Sequence, residues 1–325
     1  MKAAVYTKYG APSVLKIKEV ETPIPKNNEV LVKIMASSIN SADVEMLKGT
    51  FLGRLSGLFK PAFEILGSDI SGVVEAVGSE VTLFEVGDEV YGDMTGSGFA
   101  TFAEYKAVDE KKLSRKPDSL TFLEAATIPS AGVIAFQSIN NIKSIKPGQQ
   151  VLINGAGGGM GTMAVQMAKA FGAYVTGVDK SVKLATLKSL GADRVMDYEM
   201  ENYVKLDTTY DRIVDCQALF GPIKYIRRLN ADGIFYMIGG SVSSLLRVGI
   251  FGSILSIMST KKVGLLLGKP NNKDDIREIE GLMQQRTLNP VIDKCFKLDD
   301  IVEAFEYFET GNFVGKIVID MADNK

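Results

Sequence analysis

Seven consecutive residues carry the clearest chemical signal in this chain: Gly155-Ala156-Gly157-Gly158-Gly159-Met160-Gly161. They follow the apolar run Val151-Leu152-Ile153-Asn154. After them Met160, Met163, Ala164, Met167, Ala168 and Phe171 recur at helical spacing as far as Gly172. A strand, a glycine turn and a helix in that order form half of a dinucleotide-binding unit. Gly155 allows a sharp exit from the strand, and Gly158 and Gly161 let the backbone approach a pyrophosphate and the helix pack closely on the sheet. The helix N-terminus then offers N–H groups and a positive partial charge to phosphate oxygens. The spacing, G-x-x-G-x-x-G, departs from the usual G-x-G-x-x-G, and a plain strand-to-helix turn could look the same. Asp179 adds weight. It ends a second apolar run, Tyr174 to Val178, near the ~20-residue offset at which an acid meets a cofactor ribose.

The chain has no histidine, and its two cysteines, Cys216 and Cys295, lie far apart. That excludes an imidazole base, a Ser-His or Cys-His nucleophile, a histidine-ligated metal and a four-sulfur structural zinc. Chemistry must come from a bound cofactor, carboxylates, amines, hydroxyls or amides. A net charge of -2 gives no electrostatic reason to expect nucleic acid. The longest uncharged piece of the apolar segment Leu245 to Gly268, Val248 to Thr260, is well short of the ~20 residues that span a bilayer, so no membrane partner is expected. Few cysteines and an N-terminus without a signal-peptide core suggest a cytoplasmic location.

The elements that must position the turn fall into two blocks. Residues 1–121 are rich in short extended runs at Val30 to Met35, Gly72 to Val77 and Glu89 to Gly92, with at most a helical turn at Ser41 to Lys48. From Phe122 the texture changes. Strands are expected at 151–154, 174–178, 194–197, 211–216 and 233–238, alternating with helices at 161–171, 181–190 and 221–230. Such alternation implies a parallel sheet with right-handed crossovers. Helices follow after Asp274 and over Asp299 to Thr310, and Gly315 to Asp320 closes the chain as a strand. Leu245 to Gly268 has two readings: a buried helix and a sixth strand from Lys262 to Leu267, or a mobile cover over a cleft or subunit contact.

Across almost its whole length the chain resembles the zinc-independent, quinone-oxidoreductase-type branch of the medium-chain dehydrogenase/reductase superfamily. The markers are Asn40-Ser41-Ala42-Asp43, Leu66-Gly67-Ser68-Asp69 through Val74, Val86-Gly87-Asp88 through Gly92, Ala125-Ala126-Thr127-Ile128-Pro129, the glycine turn, Leu190-Gly191-Ala192-Asp193, and Gly315-Lys316-Ile317-Val318. The resemblance implies an α/β fold with a GroES-like β-rich catalytic domain, residues 1–121 completed by 290–325. Residues 122–289 would then form a Rossmann domain with a doubly wound parallel sheet. Where zinc-dependent relatives place metal ligands this chain has Asn40, Ser68 and Ser130, so zinc is not expected.

The resemblance also implies an activity: hydride transfer from NAD(P)H to a quinone or an α,β-unsaturated carbonyl. Alternatives are an alcohol dehydrogenase-like enzyme or a non-catalytic NAD(P)-binding protein. Asn40 could offer a side-chain N–H to a developing oxyanion, or only bond a loop. Asp43 is a weaker catalytic candidate and more readily a helix-capping acid. A tyrosine often found shortly after this pair is replaced by Glu45. Cofactor contacts implied or suggested by position are Asn40, Thr127, Gly155, Gly158, Gly159, Met160, Gly161, Asp179, Lys180, Lys183, Tyr198, Cys216, Ile238, Gly239, Gly240, Gly315 and Lys316. Asp179 favours NAD(H). Lys180, Lys183 and Tyr198 favour a 2′-phosphate, and NADP(H) is preferred over NAD(H). A homodimer through the edge of the Rossmann sheet is a further family expectation.

Overall fold

The computed structural model describes every residue except 52, 203, 204, 206, 219 and 323–325. It divides into two compact units. One comprises Met1–Val133, Pro270–Arg277 and Ile292–Lys325; the other comprises Ile134–Lys269 and Glu278–Val291.

The first unit is built on the strand Glu29–Ser38, whose alternation turns Val30, Val32, Ile34 and Ala36 inward. One side of this strand pairs antiparallel with Asp69–Val77, which continues the sheet to Glu89–Asp93 and Leu113–Arg115. Its other side is shared. Residues Glu29–Lys33 pair with Tyr105–Asp109, and Ala36–Ser38 pair with the late strand Lys316–Asp320. Ile292–Lys297 lies parallel to that late strand. The end of the chain is thereby brought beside Ile39 and Asn40, where the Ile39 N–H donates to the Ile317 carbonyl at 3.0 Å. A full helix, Ser41–Lys48, follows and stops at Gly49 with φ +61°.

The second unit holds a six-stranded, all-parallel sheet. Its spatial order is Arg194–Asp197, Tyr174–Asp179, Gln150–Asn154, Tyr210–Asp215, Leu229–Met237, Lys262–Leu265. Numbered within the unit this is 3-2-1-4-5-6, and the chain reverses its direction of spread between the first and fourth strands. The glycine turn leaves the sheet at that switch point, where open α/β sheets bind their ligands.

Several expectations shift. Phe122 and Leu123 pack on Ala36, Ala126 and Val318, so residues 122–133 belong with the first unit rather than the second. Residues 270–277 join it too. The Asn271 side chain accepts from the Asp93 N–H (2.9 Å) and donates to the Asp93 carbonyl (2.7 Å), imitating a paired strand. The helix expected over 221–230 stops at Ile226, and the next strand starts at Leu229 rather than 233. The cause is Asp232, whose φ of +59° puts a kink in that strand and lets Leu229 pair with Tyr210 before the register shifts.

The segment after Gly240 keeps its expected sixth strand, over Lys262–Leu265, but differs in the burial of its helix. A helix does form, Val242–Ile257, but only Val248 and Gly252 are buried, and much of its outer side is exposed and apolar. Gly252 is needed where it lies: a Cβ there would come within 2.7 Å of the Val263 carbonyl. The neighbouring Ser256 hydroxyl accepts from the Val263 N–H at 2.8 Å and donates to the Gly252 carbonyl at 2.8 Å. Val263 sits in the last strand of the sheet, so part of the edge expected to pair with a second copy is already engaged by this helix.

Candidate active site

The glycine turn has a different reason for each glycine. Gly155 adopts φ +81°, and the N–H groups of Gly155 and Ala156 both donate to the Val178 carbonyl (2.9 and 3.1 Å), fixing the turn to the neighbouring strand. At Gly161 a Cβ would lie 2.2 Å from the Gly155 carbonyl oxygen, so the helix Gly159–Ala170 can approach the turn only with hydrogen there. Gly158 is unlike both. Its φ is -80°, and a Cβ would meet nothing nearer than the Gly155 oxygen at 3.6 Å. The protein's own packing does not require glycine at 158. What the glycine preserves is open space next to the first N–H groups of the helix, from Gly159 and Met160 onward, which have no partner within the helix. That space beside helix N–H donors fits a diphosphate.

Asp179, at the end of the next strand, holds the turn from the side. Its Oδ2 accepts from the Gly157 N–H at 2.7 Å and its Oδ1 from the Lys180 N–H at 2.8 Å. Lys183 Nζ stands 3.4 Å from the same Oδ1, and both side chains are almost wholly buried. The Lys183 stem covers Gly157 so closely that a Cβ there would lie 2.5 Å from Lys183 Cδ. The Tyr198 N–H donates to the Asp179 carbonyl at 3.3 Å, and burial raises the Tyr198 phenol, with Glu199, Asp179 and Asp197 adding to the shift. Asp179, Lys180, Lys183 and Tyr198 thus form one group beside the turn. Within it the carboxylate that would repel a 2′-phosphate has a lysine as its neighbour.

Across the switch point lies an acid that the sequence reading passed over. Asp215 ends the fourth strand. Its carboxylate accepts from Asn154 Nδ2 (2.8 Å), from the N–H groups of Gln217 (2.9 Å) and Ala218 (3.0 Å), and from the Tyr225 hydroxyl. An acid directly after Ile213-Val214, at the end of an expected strand, was the available signal. The Cys216 N–H donates to the Asn154 carbonyl at 3.0 Å, and the Ile238 N–H to the Asp215 carbonyl at 2.8 Å. Gly239 and Gly240 follow with φ of +76° and +111°; at Gly240 a Cβ would meet Ala218 Cβ at 2.6 Å. The Cys216 thiol is pushed well up by burial, reinforced by Asp215 and Asp179, which makes it a packing group rather than a nucleophile.

The first unit gathers a second cluster, and its centre, Asp69, was quoted only as part of a marker. Asp69 Oδ2 accepts from Ser38 Oγ (2.5 Å), Asn40 Nδ2 (2.8 Å) and Lys316 Nζ (3.2 Å), while its Oδ1 accepts from the Ser130 N–H (2.9 Å). Asp69 is 0% and Lys316 3% exposed. Lys316 Nζ also donates to Asn40 Oδ1 at 2.5 Å and to the Ile39 carbonyl at 3.2 Å. Asn40 Nδ2 has a second acceptor, Ser68 Oγ, at 2.9 Å. Both amide hydrogens of Asn40 are therefore engaged within the protein, and the N–H offered above to an oxyanion is not spare.

Asp43 is fully buried as well. Its two oxygens accept the N–H groups of Asn40 (2.8 Å) and Gly67 (3.0 Å), the geometry of a capping acid. Burial, opposed by those bonds and increased by Asp69, pushes its carboxyl up to about 7. Thr127 is buried and donates to the Glu124 carbonyl at 2.7 Å, while Gly315, with φ +81°, opens the strand that carries Lys316.

Asn40, Ser68 and Ser130 are the positions compared above with metal ligands, and they converge on Asp69. A divalent cation does not fit there. Amide and hydroxyl groups are poor partners for zinc, and an ammonium already lies 3.2 Å from the only carboxylate of the set. Among the described residues no group of three or more His, Cys, Asp or Glu is placed to hold a metal.

With that geometry in view, comparison with known proteins decides the family. The signature described as "Alcohol dehydrogenase GroES-like domain" matches residues 26–118, and that described as "Zinc-binding dehydrogenase" matches 190–319. The chain belongs to the medium-chain dehydrogenase/reductase superfamily, in its quinone-oxidoreductase-type branch. It is 33% identical over 330 residues to a 2-methylene-furan-3-one reductase of Solanum lycopersicum, covering 98% of this chain and 79% of that one. It is 30% identical to an NADPH-dependent alkenal/one oxidoreductase, chloroplastic, of Arabidopsis thaliana, again over 98% and 79%. Among solved structures, the quinone oxidoreductase from Coxiella burnetii superposes with a TM-score of 0.89 at 29% identity, covering 99% of both chains.

Proposed function

We propose that this protein is an NADPH-dependent reductase of quinones or α,β-unsaturated carbonyls that works without zinc. One observation carries the reading: the positions corresponding to metal ligands come together, and a lysine ammonium shares their carboxylate. Alcohol–carbonyl interconversion loses its Lewis acid on such a site. Reduction of an acceptor that is already electron-poor does not need one. The names of the Solanum and Arabidopsis relatives, a furanone reductase and an alkenal/one oxidoreductase, support the same acceptor chemistry.

A nicotinamide cofactor, when bound, supplies the hydride. In this reading the helix N-terminus at Gly159 and Met160 binds the diphosphate over the open side of Gly158. Lys180, Lys183 and Tyr198 take the 2′-phosphate, and Ile238, Gly239 and Gly240 orient the nicotinamide end. Asn40, Asp69 and Lys316 keep the floor of the first unit polar and rigid. No side chain is assigned as proton donor, and solvent delivers the proton that completes reduction. A reducing, cytoplasmic setting is supported by the two unpaired cysteines. A homodimer through the edge of the Rossmann sheet belongs to the same reading, although the Val263 N–H there already donates to Ser256 Oγ.

The test is oxidation of NADPH and NADH, followed by absorbance, with a panel of quinones and enones. NADPH turnover about tenfold or more above NADH is expected, and Lys183→Ala should erase that preference by raising the KM for NADPH about tenfold, as loss of a charged hydrogen bond does. Tight NADPH binding with no turnover on any acceptor would establish the non-catalytic alternative. Alcohol oxidation that requires added zinc would establish the dehydrogenase.

A further inference from the structure

The helix Val242–Ile257 presents the most unusual surface of the molecule. Leu246, Ile250, Phe251, Ile254, Ile257 and Met258 lie along its outer side and are each between 47% and 85% exposed. The spacing 246, 250, 254, 257 is one helical face. Its serines do not break that face. Ser253 and Ser256 each donate to a carbonyl one turn back, and Ser259, just past its end, donates to Leu255. Ile223, on the neighbouring short helix Pro222–Ile226, is also exposed. Scattered exposed apolar residues are ordinary, but a contiguous row of this length marks a surface made to be covered.

The charges in the segment that carries the row have one sign. From Gly233 to Lys273 the sequence contains no acidic residue, while Arg247 lies within the helix and Lys261 and Lys262 follow it. Lys224 and Arg227 are exposed on and just after the adjoining short helix. The acid nearest in sequence, Asp232, stands beyond the far end, where its N–H donates to Thr260 Oγ1 at 3.3 Å. A symmetric contact with a second copy would place this basic fringe against itself, which like-charge repulsion opposes. The row also offers few free polar side chains with which a protein partner could set a register.

We propose that this face docks the protein onto the surface of an anionic lipid membrane. Leu246, Ile250, Ile254 and Ile257 would enter the acyl boundary, with Arg247, Lys262, Lys224 and Arg227 at the headgroups. The helix is about 24 Å long, and no described helix is long and apolar enough to cross a bilayer. It would lie in the interface plane, as amphipathic interfacial helices do. Docking of this kind differs from the spanning segment whose absence led to the expectation of no membrane partner. It is also independent of the proposed reductase activity.

The experiment is co-sedimentation of the full chain with vesicles of phosphatidylcholine alone and with about 30% phosphatidylglycerol, a content chosen to give an anionic surface. The expected result is binding to the anionic vesicles, at least tenfold weaker binding to the neutral ones, and release by high salt. Ile250→Glu/Ile254→Glu should lower anionic binding by at least ~100-fold, from lost burial and added repulsion. Arg247→Gln/Lys262→Gln should lower it by roughly fivefold per charge. The far-UV circular dichroism spectrum and melting temperature should be unchanged in both variants, which shows that they fold. Failure to bind anionic vesicles, or binding that ignores the isoleucine variant, overturns the proposal. So does a dimer in light scattering that the isoleucine variant dissolves while vesicle binding is absent; a second copy would then be the occupant.

Discussion

Replacing Lys316 with Met tests whether the cluster around Asp69 is held by charge or by shape. Methionine keeps most of the stem and removes three donors. The ammonium lies 3.2 Å from Asp69 Oδ2, 2.5 Å from Asn40 Oδ1 and 3.2 Å from the Ile39 carbonyl. Neither charged partner reaches water, at 3% and 0% exposure. Removing one member of a buried pair leaves an uncompensated charge and costs about 3–5 kcal/mol. Lys316→Met should therefore lose about that much stability in urea unfolding followed by circular dichroism, with an unchanged slope. Asp69→Asn alone should also lose stability, because the Ser38, Asn40 and Ser130 donors lose their charged acceptor. In the double variant no buried charge is orphaned, so it should be more stable than the two losses added together, by about 1–3 kcal/mol. Losses that add to within about 0.5 kcal/mol would refute the ion-pair account and leave Lys316 as a space-filler.

Gly158→Val should leave the melting temperature nearly unchanged, since no atom lies within 3.6 Å of the added Cβ, yet weaken NADPH binding about 100-fold or more by filling the diphosphate space; calorimetric titration would show it. Gly161→Ala should do the reverse in origin. It should destabilise by about 1–3 kcal/mol through overpacking against the Gly155 oxygen, before any ligand is added. Stability should also fall as pH rises from 3.8 towards 7, because the folded protein keeps a proton on Asp43 that the unfolded chain releases. The slope is at most about 1.4 kcal/mol per pH unit for one group, and it ends above the folded value. Asp43→Asn should flatten that slope without abolishing it, since burial, aided by Asp69, also holds Asp93 up at about 6.

Most of the second unit was legible in the sequence because its signals are local. Apolar runs ending in glycine, followed by helical periodicity, give a strand, a turn and a helix wherever they occur, and the parallel order follows from their alternation. The misplaced helix near 221–230 shows the limit. Whether Asp232 takes a left-handed kink depends on the strand it must pair with, not on its neighbours in sequence. The helix Val242–Ile257 shows a second limit. An apolar segment looks the same whether it will be buried or will lie on the surface beside a sheet edge.

By itself the sequence determined that no histidine, disulfide framework or four-sulfur zinc could take part, and that a glycine turn stood between a strand and a helix. Those are matters of composition and short-range pattern. Only the tertiary structure decided what Asn40, Ser68, Asp69 and Lys316 do, because the last of these is separated from Asn40 by 276 residues and arrives on a strand that pairs beside Ser38. It also separated the roles of the glycines, since Gly158 and Gly161 look alike in sequence and differ only in what lies 2.2 or 3.6 Å beyond them. Distances across a packed core are set by every element at once, and a linear pattern does not contain them.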